Sequence, residues 1–509
     1  MKTPKFLSLL LLFASLSVAA QVRVAVHETE TGPVIPKEIY GQFSEHLGRC
    51  IYEGIWVGPD SSIPNVDGYR TDVLEALKAQ KVPVLRWPGG CFADEYHWQD
   101  GIGPREQRPH LINSNWGGTL EDNSFGTHEF LNLCEMLGAE PYISGNVGSG
   151  SVEEMAKWVE YMTAKGGTMA EKRAANGRKE PWKVKYLGVG NESWGCGGNM
   201  TPEFYSDQYR RYATYCRDYD GNRLYKVASG ASDYDYNWTK VLMEKVGRQA
   251  DAVSLHYYSI IDWNHKGSAT DFTDGEYYDI IAKALEIEEV LRNHEHIMDT
   301  YDPERHIDLL LDEWGTWFDV EPGTNPGHLF QQNSMRDALV AALSLNIFNK
   351  HTDRLKMANI AQIVNVLQSM VLTSGDKMLL TPTYHVFRMF NGHQDAVAVP
   401  VDFACDTLQS PSGRLYSTLS VSASRMKEGG LLVTLANPRL DQEQQITLEL
   451  DALRPKFVKG EILHEKDIRA HNTFEQPEKV TPKAFKSFKI NGNKVTLTLP
   501  PASVMALTL

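Results

Sequence analysis

Short apolar, β-rich runs alternate with helical patterns from residue 37 to residue 391, and nearly every run begins apolar and ends in polar or aromatic residues. The eight runs lie near Gln42, Arg86, Asn146, Glu192, Ser229, His256, Glu313 and Gln362. Helical patterns between them cover residues 72–80, 129–137, 152–163, 203–217, 276–293 and 331–348. This alternation predicts an α/β fold, and eight strands with crossover helices predict a (β/α)8 TIM barrel. A doubly wound open sheet would alternate in the same way, but no GxGxxG follows the first run.

The pattern changes near residue 392, where strand-like runs separated by turn residues replace the helical patterns. Such runs predict a C-terminal antiparallel β-sandwich, jelly-roll-like, over residues 392–509. The stretch QVRVAVHETE, which begins at Gln21, is also strand-like. We therefore expect residues 21–36 to pair with the sandwich, and residues 37–391 to form the barrel.

The first 20 residues have the pattern of a secretory signal. Lys2 and Lys5 precede an apolar run over residues 6–18, and Ala19 and Ala20 supply small residues for cleavage. The run is too short to span a bilayer. The sequence therefore predicts an exported protein, periplasmic or extracellular, without a membrane anchor after cleavage.

Composition excludes several classes of protein. The chain has 509 residues, 42% of them hydrophobic and 23% charged, which is typical of a soluble globular protein. A net charge of −14 argues against a nucleic-acid partner. The six cysteines contain no CxxC and no zinc-binding spacing, so no metal is expected.

Two apolar runs end in a glutamate. Residues 183–194 read KVKYLGVGNESW and contain Glu192, and residues 305–317 read RHIDLLLDEWGTW and contain Glu313. A buried carboxylate is costly unless it is paired. A single glutamate at a strand end more often caps a helix or lies in solvent, but two of them at the C-terminal mouth of a barrel predict an acid/nucleophile pair for cleaving a glycosidic bond.

The sequence around these glutamates resembles a known family. GNES and DEWGTW look like the acid/base and nucleophile strands of the retaining glycosidases of clan A. YGQFSEHLGRCIYEGIW, LRWPGGCFADEYHWQDGIGPREQRP and NIAQIVNV further resemble glycoside hydrolase family 51, the α-L-arabinofuranosidases. The resemblance covers nearly the whole mature chain. It implies an enzyme that removes terminal arabinofuranosyl residues from hemicellulose or arabinan side chains and oligosaccharides by double displacement, without a cofactor, and that forms homo-oligomers.

The resemblance also implies roles for individual residues. Glu192 would be the acid/base and Glu313 the nucleophile. Arg86 would keep the nucleophile ionised and Tyr258 would orient it, although an ion pair and a core aromatic are the plain alternatives. The remaining substrate-binding residues that the family motifs imply are Glu45, Cys91, Asn191, His256, Trp317 and Gln362.

Cys91 departs from the family pattern, because many members carry Asn at this position. Cys196 follows Glu192 by four residues, and both cysteines would lie in loops at the barrel mouth. We expect a disulfide between them, with two unpaired thiols as the alternative. An endo-β-glucanase and a non-catalytic carbohydrate-binding protein are the alternative functions. The long loop over residues 101–123 favours a closed pocket and hence exo action, and the presence of both glutamates favours catalysis.

Overall fold

The computed structural model describes residues 21–509, so the predicted signal segment lies outside the described residues. The strands, in chain order, are β1 Gln21–Val26, β2 Gly41–Phe43, β3 Asn65–Val66, β4 Tyr69–Arg70, β5 Val84–Trp87, β6 Leu111–Asn113, β7 Thr119–Glu121, β8 Glu140–Gly145, β9 Tyr186–Val189, β10 Tyr225–Ser232, β11 Ala252–Ser259, β12 Asp308–Thr316, β13 Leu355–Ala361, β14 Val371–Ser374, β15 Lys377–Leu380, β16 Val397–Ala398, β17 Val401–Phe403, β18 Thr407–Gln409, β19 Leu415–Ser417, β20 Ser420–Arg425, β21 Leu431–Asn437, β22 Gln444–Leu450, β23 Lys459–His464, β24 Lys483–Phe485, β25 Phe488–Asn491, β26 Lys494–Leu499 and β27 Ser503–Thr508. The α-helices are α1 Thr71–Gln80, α2 Thr127–Leu137, α3 Val152–Thr163, α4 Thr168–Ala175, α5 Pro202–Tyr215, α6 Tyr236–Lys245, α7 Asp274–Leu285, α8 Ile287–Tyr301, α9 Met335–Phe348 and α10 Pro382–Phe390.

Eight parallel strands close into a barrel, which confirms the predicted fold class. Going round the barrel, the order is β2, β5, β8, β9, β10, β11, β12 and β13, and β13 pairs with β2. Apolar side chains fill the barrel near the N-terminal ends of the strands, namely Val84, Tyr142, Tyr186, Val227, Ala252, Leu310 and Met357. Because this end is packed, the polar residues that follow in each strand face the opposite, C-terminal mouth.

Two of the predicted helical patterns differ clearly from the helices of the structure. The pattern over 331–348 begins as a helix only at Met335, because Ser334 caps it: the Ser334 hydroxyl accepts from the N–H of Arg336 at 3.3 Å, and Asp337 accepts from the N–H of Ser334 at 2.7 Å. The pattern over 276–293 corresponds to two helices, α7 and α8, with Glu286 between them.

The C-terminal region forms two sheets that share one apolar core. One sheet has the strand order β17-β1-β22-β26-β25, and the other has the order β16-β20-β21-β27-β23-β24. β1 pairs with β17 antiparallel and with β22 parallel, so this β-rich domain is not purely antiparallel as the pattern predicted. β1 reaches the sheet from the other end of the chain rather than through a hairpin, and therefore no short turn fixes its direction.

Buried polar bonds join helix α9 to the C-terminal domain. The Asn346 side chain donates to Ser420 at 3.1 Å, and the Asn349 side chain donates to Ser422 at 3.2 Å. This contact lies on the outside of the barrel, away from the mouth. Between residues 21 and 509, none of the helices combines the length and the apolar character needed to cross a membrane.

Candidate active site

A pocket opens at the C-terminal mouth of the barrel. Residues from six barrel strands or the segments that follow them line it, together with residues of longer loops. The lining residues are Glu45, Leu47, Gly90, Cys91, Trp116, Glu192, Tyr258, Glu313, Trp317, Leu329, Gln362 and Leu367.

Glu313 lies on β12 and is held by two strong donors. The Arg86 guanidinium donates to its Oε1 at 2.8 Å, and the Tyr258 hydroxyl donates to its Oε2 at 2.9 Å. His256 Nδ1 lies 3.5 Å from the same Oε2. Burial raises the pKa of Tyr258 well above its usual range, so this hydroxyl remains a donor. The surroundings of Glu313 therefore suit an ionised carboxylate that attacks rather than one that gives up a proton.

Arg86 links the two glutamate-bearing strands. Its Nη2 donates to the side-chain oxygen of Asn191 at 2.6 Å, and its Nε donates to the Ser144 hydroxyl at 3.1 Å. Burial disfavours its charge, but Asp312 and Glu313 together raise the pKa of Arg86 above its ordinary value. The guanidinium is thus a fixed positive charge beside the Glu313 carboxylate.

Glu192 follows β9 in a strained backbone conformation. Its φ of 39° lies in the left-handed region, which non-glycine residues rarely adopt. A tight turn fixes it, because the Glu192 carbonyl accepts from the N–H groups of Gly195 at 2.7 Å and Gly197 at 3.1 Å. A Cβ on Gly197 would lie 1.8 Å from the Asn191 carbonyl oxygen, so only glycine fits there. Strain held by the surrounding structure is common where a side chain must point at a substrate.

The two glutamates face each other across the pocket. One carboxylate oxygen of Glu192, one of Glu313 and a His256 ring nitrogen all lie within 4.8 Å of one another. Retaining glycosidases hold their two carboxyl groups ~5–5.5 Å apart, whereas inverting enzymes leave ~6.5–9.5 Å for a water molecule. The short separation fits direct attack by one carboxylate.

His256 bridges the acidic groups. Its Nδ1 lies 2.8 Å from Glu192 Oε1, and its Nε2 lies 3.1 Å from Asp312 Oδ1. Burial alone would lower the pKa of His256, but Glu313, Asp312 and Glu192 raise it to about 10. A doubly protonated ring donates from both nitrogens and offers no lone pair to a metal. The Glu192–His256–Glu313 group is therefore suited to proton transfer.

Glu45 lies at one side of the pocket as an acceptor of four hydrogen bonds. Its Oε1 accepts from the N–H groups of Gly90 at 3.0 Å and Phe92 at 3.2 Å, and from the Trp116 indole at 2.9 Å. Its Oε2 accepts from the Gln362 amide at 2.9 Å. The carboxylate is thus fixed in one orientation at the wall of the pocket.

The Trp116 ring is carried by a hairpin made of β6 and β7. The Asn113 side chain anchors this hairpin, because it donates to Glu121 at 3.0 Å and accepts from the Trp116 N–H at 3.0 Å. Burial, followed by repulsion from Glu313, raises the pKa of Glu45 to about 7. The hairpin therefore closes the pocket and brings a donor to a carboxyl group that titrates near neutral pH.

Asp94 lies behind the pocket and is fully buried. Its Oδ1 accepts from the N–H groups of Val147 and Gly148, each at 2.8 Å, and its Oδ2 accepts from the N–H of Asn191 at 3.0 Å. Burial raises the pKa of Asp94 to about 7, although these backbone donors partly offset the rise. Asp94 ties the loop after β5 to the loops after β8 and β9, and so fixes the peptide that precedes Glu192.

Cys91 and Cys196 meet directly above Glu192. Their sulfur atoms are 2.10 Å apart, as in a disulfide, and their Cα atoms are 5.4 Å apart. Glu192 Oε2 lies 3.5 Å from Cys196 Sγ and 4.0 Å from Cys91 Sγ. The pair joins the loop after β5 to the turn after β9.

Aromatic rings line the opposite side of the mouth. The Trp317 ring packs edge-on against Tyr258, with centroids 5.1 Å apart, and against Trp263, with centroids 5.4 Å apart. Trp263 is half-exposed at the rim. Behind the pocket wall, Asn191 Nδ2 is buried and has no hydrogen-bond partner among residues 21–509, so it is a free donor.

The structure gathers the residues that the sequence singled out around one site. Seven line the pocket directly: Glu45, Cys91, Glu192, Tyr258, Glu313, Trp317 and Gln362. Arg86 and His256 contact the two glutamates from behind, and the Asn191 side chain accepts from Arg86. Only part of the predicted substrate-binding set therefore lies at the pocket surface.

Sequence reasoning missed four residues that shape the site: Asp94, Trp116, Tyr142 and Asp312. Asp312 is adjacent to the predicted nucleophile, and its carboxylate accepts from the Tyr142 hydroxyl at 2.6 Å. Burial would raise the pKa of Asp312, but Arg86 and His256 lower it. An acid directly before a strand-end glutamate was the available signal for Asp312. Nothing in the local sequence marks Trp116 or Tyr142 as more than core aromatics.

The chain matches two family models and several known proteins. "Alpha-L-arabinofuranosidase 1 domain" matches residues 74–275, and "Alpha-L-arabinofuranosidase C-terminal domain" matches residues 312–503. An intracellular exo-alpha-L-arabinofuranosidase of Bacteroides ovatus is 59% identical over 513 residues, covering 100% of both chains. The crystal structure of the GH51 arabinofuranosidase from Xanthomonas axonopodis pv. citri has a TM-score of 0.95 at 45% identity, covering 96% of this chain and 99% of the other. An arabinose complex of the α-L-arabinofuranosidase from Thermotoga maritima has a TM-score of 0.86 at 30% identity, covering 96% and 100%.

The Bacteroides ovatus relative corrects one prediction. It matches the chain over its full length, and its name places it inside the cell. The expectation of an exported, periplasmic or extracellular protein, drawn from residues 1–20, is therefore wrong. An apolar run between two lysines and two alanines has the composition of a signal segment, but composition alone does not fix the destination of a protein.

Proposed function

Because the chain belongs to the α-L-arabinofuranosidases of glycoside hydrolase family 51, we propose that it removes terminal, non-reducing-end arabinofuranosyl residues by a retaining double displacement. Family membership makes the chain a hydrolase that acts on arabinose-containing substrates. The stereochemistry, the exo action and the role of each residue are the proposal. The observation that carries it is the pair of carboxylates whose oxygens approach within 4.8 Å, each with different partners.

In the first step, Glu313 would attack the anomeric carbon while Glu192 gives its proton to the glycosidic oxygen. Arg86 and Tyr258 hold the attacking carboxylate at 2.8 and 2.9 Å and so fix it on one face of the sugar. When Glu192 loses its proton, the His256 imidazolium at 2.8 Å stabilises the carboxylate that forms.

In the second step, the roles reverse. Glu192, now ionised, would take a proton from water, which attacks the anomeric carbon and releases Glu313. The free donor of Asn191 would bond the sugar 2-hydroxyl, an interaction that strengthens in the transition state. Glu45 would accept hydrogen bonds from the other ring hydroxyls, and the Gln362 amide would donate to them.

The closed shape of the pocket supports exo action. The Trp116 hairpin closes the side of the pocket next to Glu45, and the Trp116 indole donates to Glu45 there. An endo-β-glucanase needs an open cleft for chain on both sides of the scissile bond. The Bacteroides ovatus relative is itself named for exo activity. Terminal arabinofuranosyl residues on hemicellulose, arabinan side chains or oligosaccharides are therefore the proposed substrates.

Turnover of a nitrophenyl α-L-arabinofuranoside by two variants tests the proposal. Glu313→Ala should lose turnover entirely because no nucleophile remains. Glu192→Ala should keep the first step on this activated substrate, and azide should restore turnover by attacking the glycosyl-enzyme in place of water. The matched control is Glu203→Ala, which removes an exposed glutamate in the first turn of α5.

The configuration of the azide product separates the mechanisms. A product with retained configuration supports double displacement, as NMR of the anomeric proton would show. Inverted product, or full activity in Glu313→Ala, would rule the assignment out.

A further inference from the structure

Two cysteine sulfurs and the carboxylate of Glu192, the proposed acid/base, form a compact cluster at the pocket mouth. Cys91 Sγ, Cys196 Sγ and one oxygen of Glu192 all lie within 4.8 Å of one another. Cys91 lines the pocket, and Cys196 is exposed at the rim. The cluster therefore combines two soft ligands with one carboxylate at a place that solvent can reach.

We propose that reduction of the Cys91–Cys196 pair creates a site for a thiophilic divalent ion such as Zn²⁺ or Cd²⁺, with Glu192 as the third ligand. Zinc binds cysteine sulfur at ~2.3 Å and carboxylate oxygen at ~2.0–2.2 Å in tetrahedral geometry, which places two sulfur ligands about 3.8 Å apart. The Cα atoms of Cys91 and Cys196 lie 5.4 Å apart, so the backbone already holds both side chains close enough to reach one ion. A side-chain adjustment alone can therefore open the pair around an ion.

The redox step balances with a dithiol as the reductant. A thiolate of the dithiol attacks the exposed Cys196 sulfur, the S–S bond breaks, and Cys91 leaves as a thiolate. The second thiol of the dithiol then attacks the mixed disulfide, which frees Cys196 and oxidises the dithiol by two electrons. Binding of the ion displaces any protons remaining on the two sulfurs.

The other cysteines do not compete for the ion. Burial raises the pKa of Cys50 and of Cys216 to about 12 and that of Cys134 well above its usual value, so these thiols resist ionisation. Cys405 is half-buried. Among the described residues, none of these four belongs to a group of three potential metal ligands. The reduced cluster at the mouth is thus the preferred site.

The bound ion would inhibit the enzyme. It would occupy the space above Glu192 and hold the carboxylate that must transfer the proton, and this consequence rests on the proposed function. The fourth coordination position would face the pocket and take water or a sugar hydroxyl. Inhibition should therefore compete with substrate and should require the reduced protein.

Cobalt binding provides a test that does not depend on turnover. The full-length protein is reduced with a dithiol, desalted under anaerobic conditions and titrated with Co²⁺, and an untreated sample is titrated in parallel. The reduced protein should bind one Co²⁺ with sulfur-to-cobalt charge-transfer absorption, and the untreated protein should show none. Cys405→Ser should behave as the unchanged protein, whereas Cys196→Ser should lose most of the absorption.

Zinc inhibition links the site to activity. Zn²⁺ should raise KM of the reduced protein, a chelator should reverse the effect, and the untreated protein should be insensitive. Absence of the charge-transfer band in the reduced protein, or an equal band in both samples, would overturn the metal site. A band without any loss of turnover would instead count against the proposed role of Glu192 and leave the metal site standing.

Discussion

Asp94 is the buried group whose substitution best tests how Glu192, the proposed acid/base, is positioned. It bonds the N–H of Asn191 at 3.0 Å, directly before the strained Glu192, and it holds the N–H groups of Val147 and Gly148 at 2.8 Å. Asp94→Asn keeps the volume and one acceptor oxygen. The amide nitrogen of the new asparagine must then face at least one backbone N–H, which places two hydrogen-bond donors against each other.

The size of the effect follows from that mismatch. A buried donor left without an acceptor costs about 1–3 kcal/mol. If the fold relieves the clash by moving the Asn191 peptide, Glu192 moves with it. A displacement of ~1 Å at a catalytic group can cost on the order of 10²-fold in rate. We therefore expect kcat/KM on an arabino-oligosaccharide to fall by roughly 10- to 100-fold.

The assay compares two leaving groups. In the proposed mechanism a sugar alcohol takes a proton from Glu192 as it departs, whereas nitrophenolate needs none, because a general acid matters most for poor leaving groups. Asp94→Asn should therefore lose much more activity on the oligosaccharide than on the nitrophenyl substrate. Urea unfolding of the same variant should show a loss of about 1–3 kcal/mol.

Asp100→Asn is the matched control, because it removes a negative charge in the same segment from a side chain that is only partly buried. It should leave both activities unchanged. An equal fall of Asp94→Asn on the two substrates would refute the reasoning, since a general loss of folded protein does not distinguish leaving groups.

Three further changes probe other contacts of the site. Tyr258→Phe removes the 2.9 Å hydrogen bond to Glu313. A hydrogen bond to a charged group contributes about 1.5–3 kcal/mol, so kcat/KM should fall by roughly 10- to 100-fold. An unchanged kcat/KM would show that this bond does not stabilise the transition state. Trp116→Phe removes the indole N–H that donates to Glu45 but keeps an aromatic ring at this side of the pocket. Initial-rate measurements should show that KM rises by a larger factor than kcat falls. A fall in kcat without a change in KM would contradict a role of Trp116 in substrate binding. The pKa of His256 is raised from 6.5 to about 10, so its contribution to stability is complete below pH 6.5 and is lost as pH rises through about 10. Over this pH range the free energy of unfolding of the unchanged protein should therefore fall by several kcal/mol more than that of His256→Gln. Parallel curves for the two proteins would show that the ring is not charged in the folded state.

The sequence pattern predicted the barrel because each strand carries its own local signal, an apolar run that turns polar at the C-terminal end. No such local signal in the sequence predicts the segment that closes the pocket. The hairpin that carries Trp116 has strands of three residues each, β6 and β7, too short for an alternating pattern. The Asp94 side chain likewise has no local partner, because its carboxylate oxygens accept from backbone N–H groups of loops more than 50 residues further along the chain. Such residues acquire their role only through tertiary contacts.

The adjacent acids Asp312 and Glu313 show most clearly why the site exceeds what the sequence predicts. Successive side chains of a regular strand point to opposite faces, so only one of the two would face the barrel interior. In the structure both are buried against cations: Asp312 lies 3.1 Å from His256 and 3.7 Å from Arg86, while Glu313 lies 2.8 Å from Arg86.

An extra residue on β12 makes this possible. On β11, Ser254 and His256 pair with Leu310 and Glu313, and on β13, Ala358 and Ile360 pair with Leu311 and Trp314, so three steps along β12 match two steps on each neighbour. A bulge of this kind re-aims side chains next to active sites. Asp312 can then neutralise Arg86 and His256 from below, while each cation keeps a hydrogen bond to a different glutamate. The different hydrogen-bond partners of Glu192 and Glu313 therefore depend on an irregularity in strand pairing, which no periodicity in the sequence reveals.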